Sequence, residues 1–343
     1  MKKFKIIPVF CLFCLIFSAC GETAEKTVLR PEIDGDWWQV AGNPMDHVYA
    51  TDRQEPVDFA VWQAADGTWQ IWSCLRKTTA GGEKGKTRVF YRWEGRNITD
   101  TDWTPMGIAM EADPSVGEIS GGLQAPHVVK VGDIYHMFYG DWVHICHAVS
   151  KDGKHFERVV QDNGITGMFS EGPNANTRDV MVLFHDGLWY AYYTGRTYGQ
   201  GEKLTGKVWV RTTKDFTAWS DSTIVSLGGQ CGEGNGSSEC PFVVKFGEAD
   251  FYLFKTQTYG LYDRDRDDIR NRELPQTSVY HSTDPRMFGI DQDEEYFLGH
   301  LTVAAPEIVQ HEGQYYIFAL NTHQLDGLRC AKLKWVKNPP GGF

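Results

Sequence analysis

Hydrophobic and polar positions along the chain return repeatedly to one short pattern: an apolar run, a turn with Gly or Asp, an aromatic-rich run, and a further apolar run. Short runs rich in Val, Ile, Tyr, Phe and Trp and bounded by turn residues read as β-strands. Five segments share this grammar: DFAVWQAADGTWQIWSCL from Asp58, APHVVKVGDIYHMFYG from Ala125, RDVMVLFHDGLWYAYYTG from Arg178, ECPFVVKFGEADFYLFKT from Glu239 and APEIVQHEGQYYIFAL from Ala305. Their first residues lie 67, 53, 61 and 66 positions apart, room for one four-stranded unit each. A further strand follows in each unit, in TRVFYRW, ICHAVSKDGKHF, VWVRTTKDFTAW, TSVYHSTDPRMF and GLRCAKLKWV, often ending in a Ser/Thr-x-Asp turn.

A strand unit repeated radially leaves few open sheet edges. The five repeats therefore predict an all-β fold, a five-bladed β-propeller with four-stranded antiparallel blades around a central funnel. No segment sustains a helical period, which disfavours a parallel α/β alternative. The charged stretch LYDRDRDDIRNREL, Leu261 to Leu274, reads as a solvated insertion inside the fourth unit.

Residues 1–20, MKKFKIIPVFCLFCLIFSAC, place lysines before an apolar stretch that closes on Ser18-Ala19-Cys20. This is a secretory signal, too short for a stable membrane span. It resembles a bacterial lipoprotein signal in which Cys20 becomes the lipidated first residue. That implies a lipid anchor on Cys20 and a cell-envelope location, periplasmic or on the outer-membrane surface. Residues 21–45 read as a tether and lead-in, and 46–343 as the propeller. Processing would leave Cys74, Cys146, Cys231, Cys240 and Cys330, an odd number. Cys231 and Cys240 could pair in an oxidising compartment, while buried strand thiols are the plainer reading. No Cys/His spacing fits a zinc site. No cofactor is expected, and a structural calcium is left open.

Composition adds to this picture. The chain has 36 Gly and 12 Trp among 343 residues, which suits many short strands and turns. A formal charge of −11 argues against nucleic acid as a partner. Aromatic side chains beside acids suit sugars, whose faces are apolar and whose rims carry hydroxyls, although most of the tryptophans are expected in the core. A monomer acting on carbohydrate is the expectation.

Comparing the repeats where the innermost strands begin shows acids in three of them: Asp58, Asp179 and Glu239. Units two and five have Gln124-Ala125 and Ala304-Ala305 there, so the architecture alone does not demand a charge. Three carboxylates converging on a funnel would repel one another and raise at least one pKa. A proton-donating carboxylic acid paired with a carboxylate is what glycoside hydrolysis requires.

Arg178-Asp179-Val180 resembles the Arg-Asp-Pro motif, and Glu239-Cys240-Pro241 the Glu-Cys motif, of glycoside hydrolase family 32. HAVSKDGKHFERV, from His147, is similar to an outer-strand pattern of the same group. Families 43, 62, 68 and 117 share the five-bladed fold and mostly an Asp, Asp, Glu constellation. The resemblance implies a glycosidase in which Asp58 is nucleophile or water-activating base, Asp179 with Arg178 stabilises the transition state, and Glu239 is the general acid. It makes Cys240 a wall residue behind that acid. Only Asp58 remains of the blade-one motif of family 32, and the fructose-contacting asparagines are missing. A carbohydrate-binding propeller without catalysis is the alternative.

Further candidates follow from position. Asp46 is an alternative first-blade acid if the register of that repeat is shifted. His127 and Glu307 each follow Ala-Pro, in units two and five, and are expected to face the funnel as sugar ligands. Glu171, in SEGPNANTRD, reads as a loop residue at the funnel mouth with substrate contact as one role. Trp62, Trp142 and Arg196 are candidates to line the cleft. His144 and His147 read as strand positions with ordinary hydrogen bonds.

Overall fold

A computed structural model of the protein describes residues 28–83, 85–198, 204–227, 238–256, 277–290, 292–321 and 326–338. The signal segment with Cys20, the insertion Leu261 to Leu274, and Cys231 in its glycine-rich loop lie outside these residues.

Each repeat folds into an antiparallel sheet, and the five sheets form a ring as a five-bladed β-propeller. Blade one comprises Glu55–Gln63, Trp69–Arg76, Val89–Gly95 and Thr104–Met110, from the funnel outward. Blade two comprises Gln124–Val131, Ile134–Gly140 and Ile145–Ser150, with two short strands, Glu157–Arg158 and Gly167–Phe169, sharing its outer edge. Blade three comprises Arg178–His185, Leu188–Tyr198, Leu204–Thr213 and Thr223–Leu227, and blade four Glu239–Phe246, Asp250–Thr256, Thr277–Ser282 and Phe297–Leu301.

Blade five shifts the expected boundary. Its inner strands are Glu307–His311, Gln314–Leu320 and Leu328–Lys337, and its outermost strand is Leu29–Ala41 from the other end of the chain. Leu29 pairs with Lys337 and Ile33 with Leu333, so the first and last strands zip the ring shut. The stretch expected to be a tether and lead-in over 21–45 thus contains a propeller strand, and the blade architecture begins by residue 29 rather than 46. The reason is the free edge of Leu328–Lys337, whose backbone groups need a partner.

Aromatic side chains fill the space between blades. Trp72, Trp93, Tyr91, Tyr139, Tyr192 and Tyr252 are almost wholly buried. Trp62 belongs here too, which corrects its expected place in the cleft. Its ring meets Trp72 at 5.8 Å and Phe156 at 6.0 Å, and Nε1 donates to the Gly153 carbonyl at 2.8 Å. A half-amphipathic indole packs between sheets when its N–H finds an acceptor, as it does here.

That acceptor explains the recurring Ser/Thr-x-Asp turns. In blade two, Ser150 Oγ donates to Asp152, whose carboxylate also accepts from the backbone N–H groups of Lys154 and His155. The turn reaches back to blade one through Trp62, through Ala65 N to the Asp152 carbonyl, and through Lys154 to Asp66 and Glu94. Blade four repeats the device, with Asp284 accepting from Arg286 N and Tyr192 of blade three donating to the Pro285 carbonyl. In blade three the turn residue Phe216 packs on Phe138 and His147 of blade two. The motif is a staple between neighbouring blades.

Candidate active site

The five inner strands enter the funnel through one local geometry. Asp58, Ala125, Asp179, Cys240 and Ala305, one from each blade, all have positive φ, between 38° and 57°. The ladder slips at this point in blades one to four, between Val57 and Phe59, Gln124 and His127, Arg178 and Met181, and Glu239 and Phe242. Bulges of this kind re-aim a side chain out of the alternation of the strand. The left-handed region costs roughly 1–2 kcal/mol for a residue with a Cβ, so five repetitions mark a position that the surrounding architecture imposes.

This geometry refines the alignment of the repeats. Asp58 and Asp179 are equivalent, but their counterpart in blade four is Cys240, and Glu239 stands one residue earlier. The signal was available in the sequence: Ala125, Cys240 and Ala305 all precede proline. Aligning on that proline places Cys240, not Glu239, beside the two alanines.

These residues surround a small cavity of about 20 Å³, open to solvent, whose lining includes Asp58, Asp179, Cys240, Met181, Phe242 and Glu307. Arg178 binds two of the carboxylates, with Nε 3.3 Å from Asp179 Oδ2 and Nη2 2.5 Å from Glu239 Oε1. Burial works against its charge, yet Asp179 and Glu239 hold it firmly protonated, above the usual arginine value. Asp179 Oδ2 also accepts from Thr194 Oγ1 at 2.8 Å and from the Cys240 amide at 3.1 Å. Its Oδ1 is buried with no hydrogen-bond partner, which is the state expected of an acceptor awaiting a ligand hydroxyl.

Asp58 sits in a different environment. Burial, the Asp179 carboxylate and Glu239 push its pKa up to about 6, against the opposing charges of Arg88 and Arg76. The Cys240 thiol donates to Asp58 Oδ1 at 3.3 Å. Burial and the surrounding carboxylates push that thiol well above its ordinary pKa. Cys240 is a free thiol among the described residues and turns its side chain toward Asp58; Cys231, its candidate disulfide partner, lies outside the described residues.

The structure brings Asp58, Asp179, Glu239 and Arg178 together and separates other candidates from them. Asp46 is exposed and accepts from Tyr91 OH at 2.7 Å, so Asp58 is the funnel-facing acid of blade one. Glu171 does not reach the funnel. Its carboxylate accepts from Tyr193 OH (2.7 Å), Arg211 (2.8 Å) and Ser222 (2.9 Å), a half-buried anchor against blade three. Trp142 and Arg196 do not line the cavity; Arg88 stacks on the Trp142 ring at 5.1 Å. His147 is a core residue stacked on Phe138, its pKa lowered to about 3 by burial and by His136. His144 is held by Asp141 at 3.1 Å, which raises its pKa.

His127 and Glu307 converge below the Asp58 level. Nδ1 of His127 lies 3.9 Å from Glu307 Oε1, and Phe242 meets the imidazole edge at 6.1 Å between centroids. Burial raises the Glu307 pKa against the pull of His127. Among the described residues, no group of three or more His, Cys, Asp or Glu is placed to hold a metal ion.

No family model and no curated protein matches the sequence. Solved structures do match the fold. A thermostable family-43 glycoside hydrolase is 16% identical with a TM-score of 0.58, over 88% of this chain and 94% of that one. An endo-arabinase from Bacteroides thetaiotaomicron is 11% identical with a TM-score of 0.59, over 84% and 96%. A family-32 β-fructofuranosidase from Bombyx mori is 15% identical with a TM-score of 0.54, over 92% of this chain and 64% of that one. At these identities the likeness is one of fold, and it is the five-bladed β-propeller of such hydrolases.

Proposed function

We propose that the protein is a glycoside hydrolase of the cell envelope, anchored through lipid on Cys20 and acting on oligo- or polysaccharides. The observation that carries this reading is the gathering of three acids from three blades: Asp58 and Asp179 line one open cavity, and Arg178 joins Asp179 to Glu239 beside it. The family-43 and family-32 structures that share the fold are glycosidases by name, which supports the same class.

In the mechanism that follows, Asp58 is the base or nucleophile. A carboxylate with a pKa near 6 is ionised at neutral pH yet basic enough to accept a proton or attack. Asp179, fixed by Arg178, Thr194 and the Cys240 amide, presents its free Oδ1 to sugar hydroxyls and gains most as positive charge develops on the ring. Glu239 delivers the proton to the leaving oxygen.

The Arg178–Glu239 pair favours a second reading of the roles. A general acid must carry a proton, and here Glu239 accepts from a guanidinium while Asp58 is the carboxyl with the raised pKa. Exchanged roles, with Asp58 as acid and Glu239 as base, use the same residues and the same cavity.

The test is hydrolysis of aryl glycosides and of arabino-, xylo- and fructo-oligosaccharides by wild type and Glu239→Gln. A glycosidase loses oligosaccharide turnover in the variant and keeps sugar binding. A carbohydrate-binding propeller shows no turnover in either.

A further inference from the structure

We propose that His127 and Glu307 form the seat of a sugar hydroxyl at the narrow end of the funnel, gripping one residue of the substrate beneath the Asp58 level. The proposal rests on the glycosidase reading and adds to it a recognition element outside the carboxylate triad.

Three observations carry it. His127 is 6% exposed, and neither of its ring nitrogens has a hydrogen-bond partner. A buried imidazole left unpaired on both nitrogens is costly, and such groups are usually completed by a ligand or a water. The Glu307 carboxylate stands 3.9 Å from His127 Nδ1, beyond hydrogen-bond range, and Glu307 lines the open cavity. One oxygen atom placed to the side of the His127–Glu307 axis reaches both, accepting from an imidazole N–H and donating to the carboxyl. A hydroxyl is the group that does both.

The third observation is how room is made for it. The two residues follow Ala125-Pro126 and Ala305-Pro306, so the side chains above them at the mouth are methyl groups. Blade one stands between blades five and two, and its residue at the equivalent level is Ala60. Blades three and four supply Met181 and Phe242 at this level. The floor is therefore polar on one side and apolar on the other, and its cavity of about 20 Å³ has room for a single hydroxyl reaching down from a ring held above it.

The experiment measures KM for p-nitrophenyl glycosides of arabinose, xylose, galactose and fructose, with wild type, His127→Leu and Glu307→Gln. On the substrate that wild type turns over, each variant is expected to raise KM about tenfold or more, the loss of one buried hydrogen bond. The corresponding monosaccharide is also expected to shift the ring 15N resonances of His127 in the wild-type protein. This second readout holds if a variant fails to fold. Turnover in wild type with unchanged KM in folded variants, or with an unmoved His127 resonance, overturns the proposal and leaves the glycosidase reading intact. That outcome would make the pair a seat for water alone. Absence of both turnover and monosaccharide binding in wild type overturns the two together.

Discussion

The Cys240 thiol lies 3.3 Å from Asp58 Oδ1, and the amide of the same residue donates to Asp179 Oδ2. One residue of blade four thus holds the carboxylates of blades one and three. Cys240→Ala keeps the amide bond and removes the thiol. Alanine already occupies the equivalent left-handed position in blades two and five, so the variant is expected to fold with little change in Tm. Losing a donor disfavours the charged form of Asp58, so the acid limb of the pH–rate profile should move upward by about half a unit. The raised thiol pKa also predicts slow alkylation by iodoacetamide at neutral pH, measurable by mass spectrometry.

Arg178 is the cation shared by Asp179 and Glu239. Arg178→Met leaves two carboxylates without their counter-charge in a largely buried setting. Breaking such an arrangement costs about 3–5 kcal/mol. Thermal or denaturant unfolding should show a loss of this order, and turnover should vanish even where the variant remains folded.

Asp58 couples stability to pH. Its folded pKa of about 6 lies above the ordinary aspartate value of 3.8. The fold therefore favours the neutral carboxyl. The stability this contributes is present below pH 3.8 and is lost as pH rises through about 6, where the buried carboxylate charges. Asp58→Asn should raise Tm at pH 7.5 and leave it nearly unchanged at pH 4, while abolishing activity. With Asp58 as base, kcat/KM of the wild type should rise through an apparent pKa near 6.

Trp62 tests the staple between blades one and two. Trp62→Phe keeps most of the packing and removes the N–H that reaches the Gly153 carbonyl. Leaving that carbonyl unpaired should lower stability by about 1–3 kcal/mol, read by denaturant unfolding, and leave KM unchanged.

Much of this molecule was legible from strand periodicity. A five-fold repeat of apolar runs with aromatic second strands leads to one architecture because only a closed ring protects that many edges. The funnel acids emerged by comparing repeats, since Asp58 and Asp179 occupy a place that two blades fill with alanine. Two things stayed hidden. Leu29–Ala41 lacks a clean alternation, being half-exposed on both faces, so its pairing with Leu328–Lys337 is decided by the ring closure and not by local pattern. Side-chain direction was the other. Trp62 and Glu171 have the composition of a sugar cleft, yet a carbonyl in the next blade and an arginine in the same blade satisfy them. Aligning the repeats on Glu239 rather than on Pro241 sets Cys240 one position out of register and hides its equivalence to Asp58 and Asp179.

Leaving-group dependence tests the central claim most directly. Asp58→Ala and Glu239→Ala would be assayed on a 2,4-dinitrophenyl glycoside, whose leaving group needs no proton, and on the corresponding oligosaccharide. With Glu239 as general acid, Glu239→Ala retains much of its rate on the activated substrate and loses the oligosaccharide, and Asp58→Ala loses both. The opposite pattern would move the acid role to Asp58 and contradict the assignment, and undiminished turnover in both variants would contradict a carboxylate mechanism at this site.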